Sequence, residues 1–331
     1  MKNVLVMGAT GAMGTYLVPE LSRLGYCVTA LSLDTETPEY ENVTYITCNA
    51  KRIDVLEKLF AEKHYHAIID FMIYSEDQFE ERHKLLLDNT DHYFFLSSYR
   101  VYANEETPIK ETSPRLLEAS KDKEFLEKHA VEYGLYKAVK EDILRRSGYK
   151  NYTILRPTMV YSTRRYQLVG LEADVFLYRA QRGQTVVLPE IAMDLHACMT
   201  WSGDVAKLIT RLMFNEKAYC EAFTVGSGES FTWRDVAETY KRIVGLDYIV
   251  VPTEDYLKIT GEKEYYKHIY DRFFDRAIDN TKILEATGLK REDFLPLEKG
   301  LELELAKVRD YNWRNSPANA LMDEYLANRN K

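Results

Sequence analysis

The first 157 residues alternate short β-branched and aromatic runs with stretches of helical period. VLVMG (4–8) leads into a helix over 13–24, and CVTALSL (27–33) follows. VTYIT (43–47) precedes a helix at 52–62, and HAIID (66–70) precedes one at 77–89. HYFFLSS (92–98) is followed by a long polar segment and then by a helix carrying EYGLYKAVKED (132–142). YTILRP (152–157) closes the series. Strands that alternate with helices predict a parallel sheet covered on both faces. Beyond residue 160 the pattern loosens. SGDVAKLITRLMF (202–214) and TWRDVAETYKRIVG (232–245) read as amphipathic helices with the strand AFTVG (222–226) between them. Helices near 280–287 and 297–309 and a polar tail complete the chain.

Composition narrows the class. The 331 residues allow one large domain or two modest ones, and 46% hydrophobic content marks a globular chain. A formal net charge of −8 argues against a sequence-independent hold on nucleic acid or on acidic membranes. Cys27, Cys48, Cys198 and Cys220 form no C-x-x-C, and the seven histidines form no H-x-x-x-H. No metal site is expected, and the cysteines read as reduced core residues of a cytoplasmic protein. No apolar run has the length of a membrane span. The strand KNVLVMG begins at once, which is read as the absence of a signal peptide. The 25 tyrosines are read as ordinary half-buried residues.

GATGAMG places Gly8, Gly11 and Gly14 between the first strand and the first helix. The chain turns sharply there, and a β-carbon would block the approach of a pyrophosphate. The helix N-terminus offers that anion backbone N–H groups and a favourable dipole. In this context the loop predicts dinucleotide binding, with Thr10, Ala12 and Met13 completing the cradle.

The G-x-x-G-x-x-G spacing resembles the short-chain dehydrogenase/reductase superfamily, in its extended branch of NAD-dependent epimerases and dehydratases. Other stretches match in order: CNAKR, FLSSYRVYA, YGLYKAVKEDIL, ILRPTMVYS, WSGDVAKLI and DNTKILEATGL. The resemblance spans nearly the whole chain. It implies an α/β fold with a doubly wound, mostly parallel, seven-stranded Rossmann-type sheet and a smaller C-terminal substrate lobe. Residues 1–163 would form the NAD-binding domain, with 195–226 returning to it. Residues 164–194 and 227–331 would form the lobe.

At the end of the second strand such folds present an acid to the adenine ribose, or a base to a 2′-phosphate. Here the register falls on Ser32, followed by Leu33 and Asp34, and no Arg or Lys occurs from 24 to 50. NAD is therefore expected over NADP. The resemblance places Asn49 on the adenine, with Ala50 beside it, although Asn49 also suits a cap for the next helix. Phe71 and Met72, at the end of the fourth strand, and Pro157 are expected along the cofactor.

EYGLYKAVKED holds Tyr-x-x-x-Lys twice, as Tyr133/Lys137 and Tyr136/Lys140. A tyrosine has a pKa of about 10, and a neighbouring ammonium lowers it. Spacing of i to i+4 brings either pair onto one helical face, so periodicity does not choose between them. The family pattern Y-G-x-S-K-x-x-x-E-x-x-L does: Tyr133, Gly134, Lys137, Glu141 and Leu144 fit it. Tyr133 and Lys137 are the implied catalytic pair, and Tyr136 and Lys140 are left as surface or subunit-interface residues. FLSSYRVYA resembles S-S-x-x-V-Y-G, which makes Ser98 the substrate-orienting hydroxyl and Ser97 structural.

The related 4,6-dehydratases carry Asp-Glu after the catalytic hydroxyl, where this chain has Tyr99 and Arg100. Many sugar-nucleotide epimerases show R-D-x-x-H-V-x-D, whose arginine clamps a diphosphate; the aligned ACMTWSGD has Ala197 in its place. Arg164 and Arg165 are candidates to take over that contact, and Arg100 to face an anionic substrate, unless all three are solvated surface groups. The expected activity is epimerisation or oxidation at a sugar hydroxyl, on a nucleotide sugar, by a homodimer built on helix 77–89 and the helix of Tyr133. The alternatives are an NAD-dependent reductase or dehydrogenase of another small hydroxy or keto substrate, and a non-enzymatic NAD-sensing or RNA-binding relative.

Overall fold

A computed structural model of the chain describes residues 1–329. Seven strands form its central sheet: β1 (Asn3–Met7), β2 (Cys27–Ser32), β3 (Val43–Thr47), β4 (Tyr65–Asp70), β5 (Thr90–Leu96), β6 (Tyr152–Pro157) and β7 (Glu221–Val225). They lie in the order β7-β6-β5-β4-β1-β2-β3, and every pairing is parallel. Successive residues of a strand point to opposite faces, so a strand covered on both sides must be apolar at every position. In β1, Val4 and Val6 pack on α1 (Gly14–Arg23) through Leu17 and Leu21, and on α5 (Ser202–Leu212) through Val205 and Ile209. Leu5 and Met7 face the other way, onto Leu56 of α2 (Ile53–Glu62), Phe79 and Leu86 of α3 (Glu76–Asp88), and Ile143 and Leu144 of α4 (Tyr133–Arg146). This is the doubly wound Rossmann-type α/β sheet that the alternation predicts.

The strand order reverses between β1 and β4, and the crevice beyond the carboxyl ends of these strands is where such sheets bind ligands. Strand β5 ends at Leu96, two residues short of the expected HYFFLSS run. Its ladder with β6 stops at Leu96 opposite Leu155; Ser97 N still donates to Leu155 O at 2.7 Å, and Ser98 then opens the turn Tyr99–Val101. Both serines thus project past the end of the sheet.

Residues after 157 build a second core around Phe176, Val187, Trp233, Tyr240, Tyr256 and Leu301. Helix α6 (Trp233–Val244) is bounded by a capping box from Thr232 and Asp235 and by Gly245 in the left-handed conformation. Helix α7 (Leu297–Ala306) follows. The expected polar tail is instead helix α8 (Pro317–Arg329), anchored by buried Met322 and by Asp323, which accepts from Arg179 at 2.7 Å. One buried methionine and one ion pair leave no periodic signal in a sequence.

The register of α4 against the sheet is set by Glu141, which is wholly buried. Its carboxylate accepts from Arg156 Nε and Nη2 of β6 at 2.8 and 2.6 Å, and from Ser97 Oγ at 2.5 Å. Arg115 and Arg145 add contacts at 3.2 Å. Burial opposes its ionisation, but Arg156 first and then Arg145 and Ser97 hold it down at about 2. Glu141→Ala strands the Arg156 charge in the interior and should cost about 3–5 kcal/mol in urea unfolding. Because the folded pKa lies below the ordinary 4.5, this contribution is present above pH 4.5 and is lost as pH falls toward 2. The variant should therefore show a shallower acid limb in its stability profile, and an unchanged limb would contradict this role.

Candidate active site

A cavity of about 750 Å³ opens at the carboxyl ends of the strands. Gly8, Thr10, Gly11, Ala12, Met13 and Gly14 line its base. Gly8 has φ +79°, which glycine adopts without strain, and a Cβ on Gly14 would sit 2.3 Å from the Ala9 carbonyl oxygen. Helix α1 has no side-chain cap and no acid in its first turn, so its positive dipole end is left uncompensated and suits an anion. Thr10 Oγ1 donates to Asp34 Oδ2 at 2.8 Å and lies 2.7 Å from Ser32 Oγ, which accepts from Asp34 N at 2.9 Å. With the Thr10 proton used on Asp34, Ser32 is the donor to Thr10. The interlock presents an acid at the end of β2. Ala50, Phe71, Met72 and Pro157 complete this part of the wall.

Tyr133 and Ser98 line the other end. Tyr133 is the first residue of α4, and Ser98 caps the turn after β5, accepting from Arg100 N at 3.2 Å. Burial raises the Tyr133 phenol above its ordinary value, and Arg165, then Arg100, offset part of that rise. Lys137, also expected here, is 1% exposed and is not among the residues lining the cavity; its Nζ donates to Leu96 O at 2.5 Å and lies 5.7 Å from the centroid of the Tyr133 ring. Burial pushes its ammonium down to about 7, against the opposing charge of Asp70. The cations that act on Tyr133 are thus arginines from outside α4.

Arg100, Arg165, Lys267 and Arg272 bring positive charge to this end, with Gln167, Glu172 and Glu264 among them. Buried Asp271 is the hub. Arg100 Nε lies 3.1 Å from it and Arg276 Nη2 3.3 Å, while Arg272 Nη1 hydrogen-bonds it most closely. Tyr99 is fixed here as well: its hydroxyl donates to Asp271 at 3.3 Å and accepts from Arg272 at 2.7 Å.

Three residues singled out from the sequence lie elsewhere. Asn49 uses its side-chain oxygen to accept from Lys51 N at 3.0 Å, tying the turn before α2, while Cys48 and Ala50 line the cavity. Arg164 turns toward the loop after β2, 3.9 Å from Glu36. Lys140 is no surface residue: it is 1% exposed, its Nζ donates to Tyr136 O at 3.0 Å, and burial lowers it to about 8. Tyr136 packs edge-on against Tyr133, ring centroids 5.2 Å apart. The residues missed in the sequence are Gln167, Glu172, Glu264, Lys267 and Arg272. They come from segments without strand–helix alternation, where a charged run reads as a solvated face.

The NAD dependent epimerase/dehydratase family matches residues 4–226, two thirds of the chain. The protein belongs to this family. It is an NAD-dependent enzyme of the epimerase/dehydratase type. Comparison with curated protein sequences finds no match. Solved structures share the fold at low identity. UDP-glucose 4-epimerase of Thermotoga maritima, crystallised with UDP-glucose, has a TM-score of 0.66 at 20% identity, over 93% of this chain and 99% of its own. Bordetella bronchiseptica WbmH in complex with NAD+ gives 0.67 at 15% identity, over 94% and 100%. The dTDP-glucose 4,6-dehydratase of Bacillus anthracis in complex with NAD gives 0.68 at 15% identity, over 96% and 100%.

The family's cofactor fits the cradle: the uncapped α1 terminus suits a pyrophosphate, and Asp34 suits a ribose hydroxyl. The arrangement around Tyr133 also predicts a pH effect. Removing a cation that lowers its pKa raises that pKa, so Arg165→Gln and Arg100→Gln should each move the acid limb of kcat/KM to higher pH. The shift should be larger for Arg165→Gln, the stronger of the two influences. Identical limbs in wild type and both variants would show that Tyr133 does not sense these charges.

Proposed function

We propose that the protein is an NAD-dependent epimerase or oxidoreductase acting at a hydroxyl of a sugar, on a nucleotide sugar, through a keto intermediate. The observation that carries this reading is that the Ser98 and Tyr133 side chains line the same cavity as the glycine cradle. In this reading residues 164–194 and 227–331 act as the substrate lobe over the NAD-binding domain formed by 1–163 and 195–226.

Tyr133, as phenolate, takes the proton of the reacting hydroxyl, and Ser98 orients that oxygen by hydrogen bonding. NAD, when bound, accepts the hydrogen and electron pair that leave the carbon. Lys137, brought close to neutrality by burial, exchanges a proton within the physiological range and adds its charge to the arginine field when protonated. In epimerisation Tyr133 returns the proton after the ketone has been reduced on its other face.

Tyr133→Phe should lower turnover by about 10²–10⁴-fold, what a positioned general base contributes, while NAD affinity measured by calorimetry stays close to wild type. Ser98→Ala should cost less, and Tyr136→Phe should keep most activity. If Tyr136→Phe is inactive and Tyr133→Phe active, the roles assigned to the two tyrosines are wrong.

A cytoplasmic homodimer paired through α3 and α4 belongs to the same reading. Leu86 and Leu87 pack inside the chain, so such an interface would rest on Leu85 and Tyr136. Light scattering at micromolar concentration should give twice the chain mass; a monomer overturns the dimer.

A further inference from the structure

We infer that the substrate carries a carboxylate close to the reacting carbinol, as a uronic acid does, and that Arg165 and Arg272 receive it. This rests on the reading of Tyr133 above and names the class of sugar. The charges at this end of the cavity do not balance internally. Lys267 has its own partners, Glu264 at 2.8 Å and Glu172 at 3.7 Å. Arg100, Arg272 and Arg276, by contrast, share the single carboxylate of Asp271. Among the described residues no carboxylate lies within 4 Å of Arg165. Its guanidinium reaches only Gln167 Oε1, at 3.4 Å, and Arg272 Nη2 donates to the same oxygen at 3.3 Å.

Two guanidiniums converging on one neutral oxygen form an arrangement that an anion would stabilise. Arg272 is 3% exposed, and its Nε has no hydrogen-bond partner. Asp271 already pairs with Arg272, so Arg165, whose guanidinium meets only the neutral Gln167 oxygen, is the cation left to receive an anion, with Arg272 beside it. Gln167 is itself fixed by Glu172, and Tyr99 holds Arg272 from the other side. The acceptor position is therefore rigid.

Its location separates a carboxylate on the sugar from a distant diphosphate. The Arg100 guanidinium lies 5.0 Å from the centroid of the Tyr133 ring, and Tyr99 directly follows Ser98 in the chain. The cationic group thus flanks the residues that handle the reacting hydroxyl.

The test uses the NAD-loaded enzyme and calorimetric titration with glucuronate, UDP-glucuronate, UDP-glucose and UDP, with NADH absorbance followed separately. UDP-glucuronate or glucuronate should bind more tightly than UDP-glucose. Arg165→Gln should weaken the acid probes by about tenfold or more, the loss of one charge-assisted hydrogen bond, and leave UDP-glucose and UDP unchanged. Binding of free glucuronate identifies a free sugar acid; binding of UDP-glucuronate alone identifies a nucleotide-linked one. Equal weakening of UDP-glucose and UDP-glucuronate would make Arg165 a diphosphate contact and overturn the inference. So would an absence of Arg165 dependence, or of binding by every probe. Acid-selective binding without NADH formation on any probe would leave the carboxylate site standing and overturn the oxidoreductase reading instead.

Discussion

The buried carboxylate of Glu141 is the fixed point of the site. It lies on α4, four residues after Lys137 and eight after Tyr133, so all three belong to one face of one helix. Through Arg156 it binds that helix to β6, and through Ser97 to the end of β5. Ser98 is the next residue. One ion therefore fixes the helix that carries Tyr133 against the turn that carries Ser98. A buried ion pair stabilises a fold only when its remaining hydrogen-bonding capacity is filled, and here two further arginines fill it.

The second core is tied to the sheet by a second buried acid. Glu304 of α7 accepts from Tyr16 of α1, from Trp201 Nε1 at 2.8 Å and from Thr163 N at 2.7 Å. Thr163 immediately precedes Arg164 and Arg165, so the loop bearing these arginines is held by the second core and by the helix of the glycine cradle together. Asp271 performs the same service for Arg100 and Arg272. Burial holds the Tyr133 phenol above its ordinary value, and the field of Arg165 and Arg100 offsets part of that rise.

The seven parallel strands, the helices between them, the glycine turn and the placing of Tyr133 and Lys137 one turn apart on one helix were legible in the sequence. Each has a local cause. Apolar runs follow from burial on both faces, glycines from the turn at Gly8 and the close approach of Gly14 to Ala9, and the Tyr-x-x-x-Lys spacing from the helical repeat. The sequence could also show that β2 is followed by Asp34 with no nearby cation. It could not show that Lys140 is buried or that the tail is helical, because neither depends on a periodic pattern.

What the sequence determined by itself, then, is the sheet, the glycine turn and the order of the motifs, since these depend on residues close together along the chain. Only the tertiary structure decided where the charges go. Arg165, Gln167 and Arg272 meet at one point, Asp271 is shared by three guanidiniums, and Lys137 loses water and falls to about 7. Electrostatic energies depend on distance and on burial, and neither quantity exists until the chain has folded.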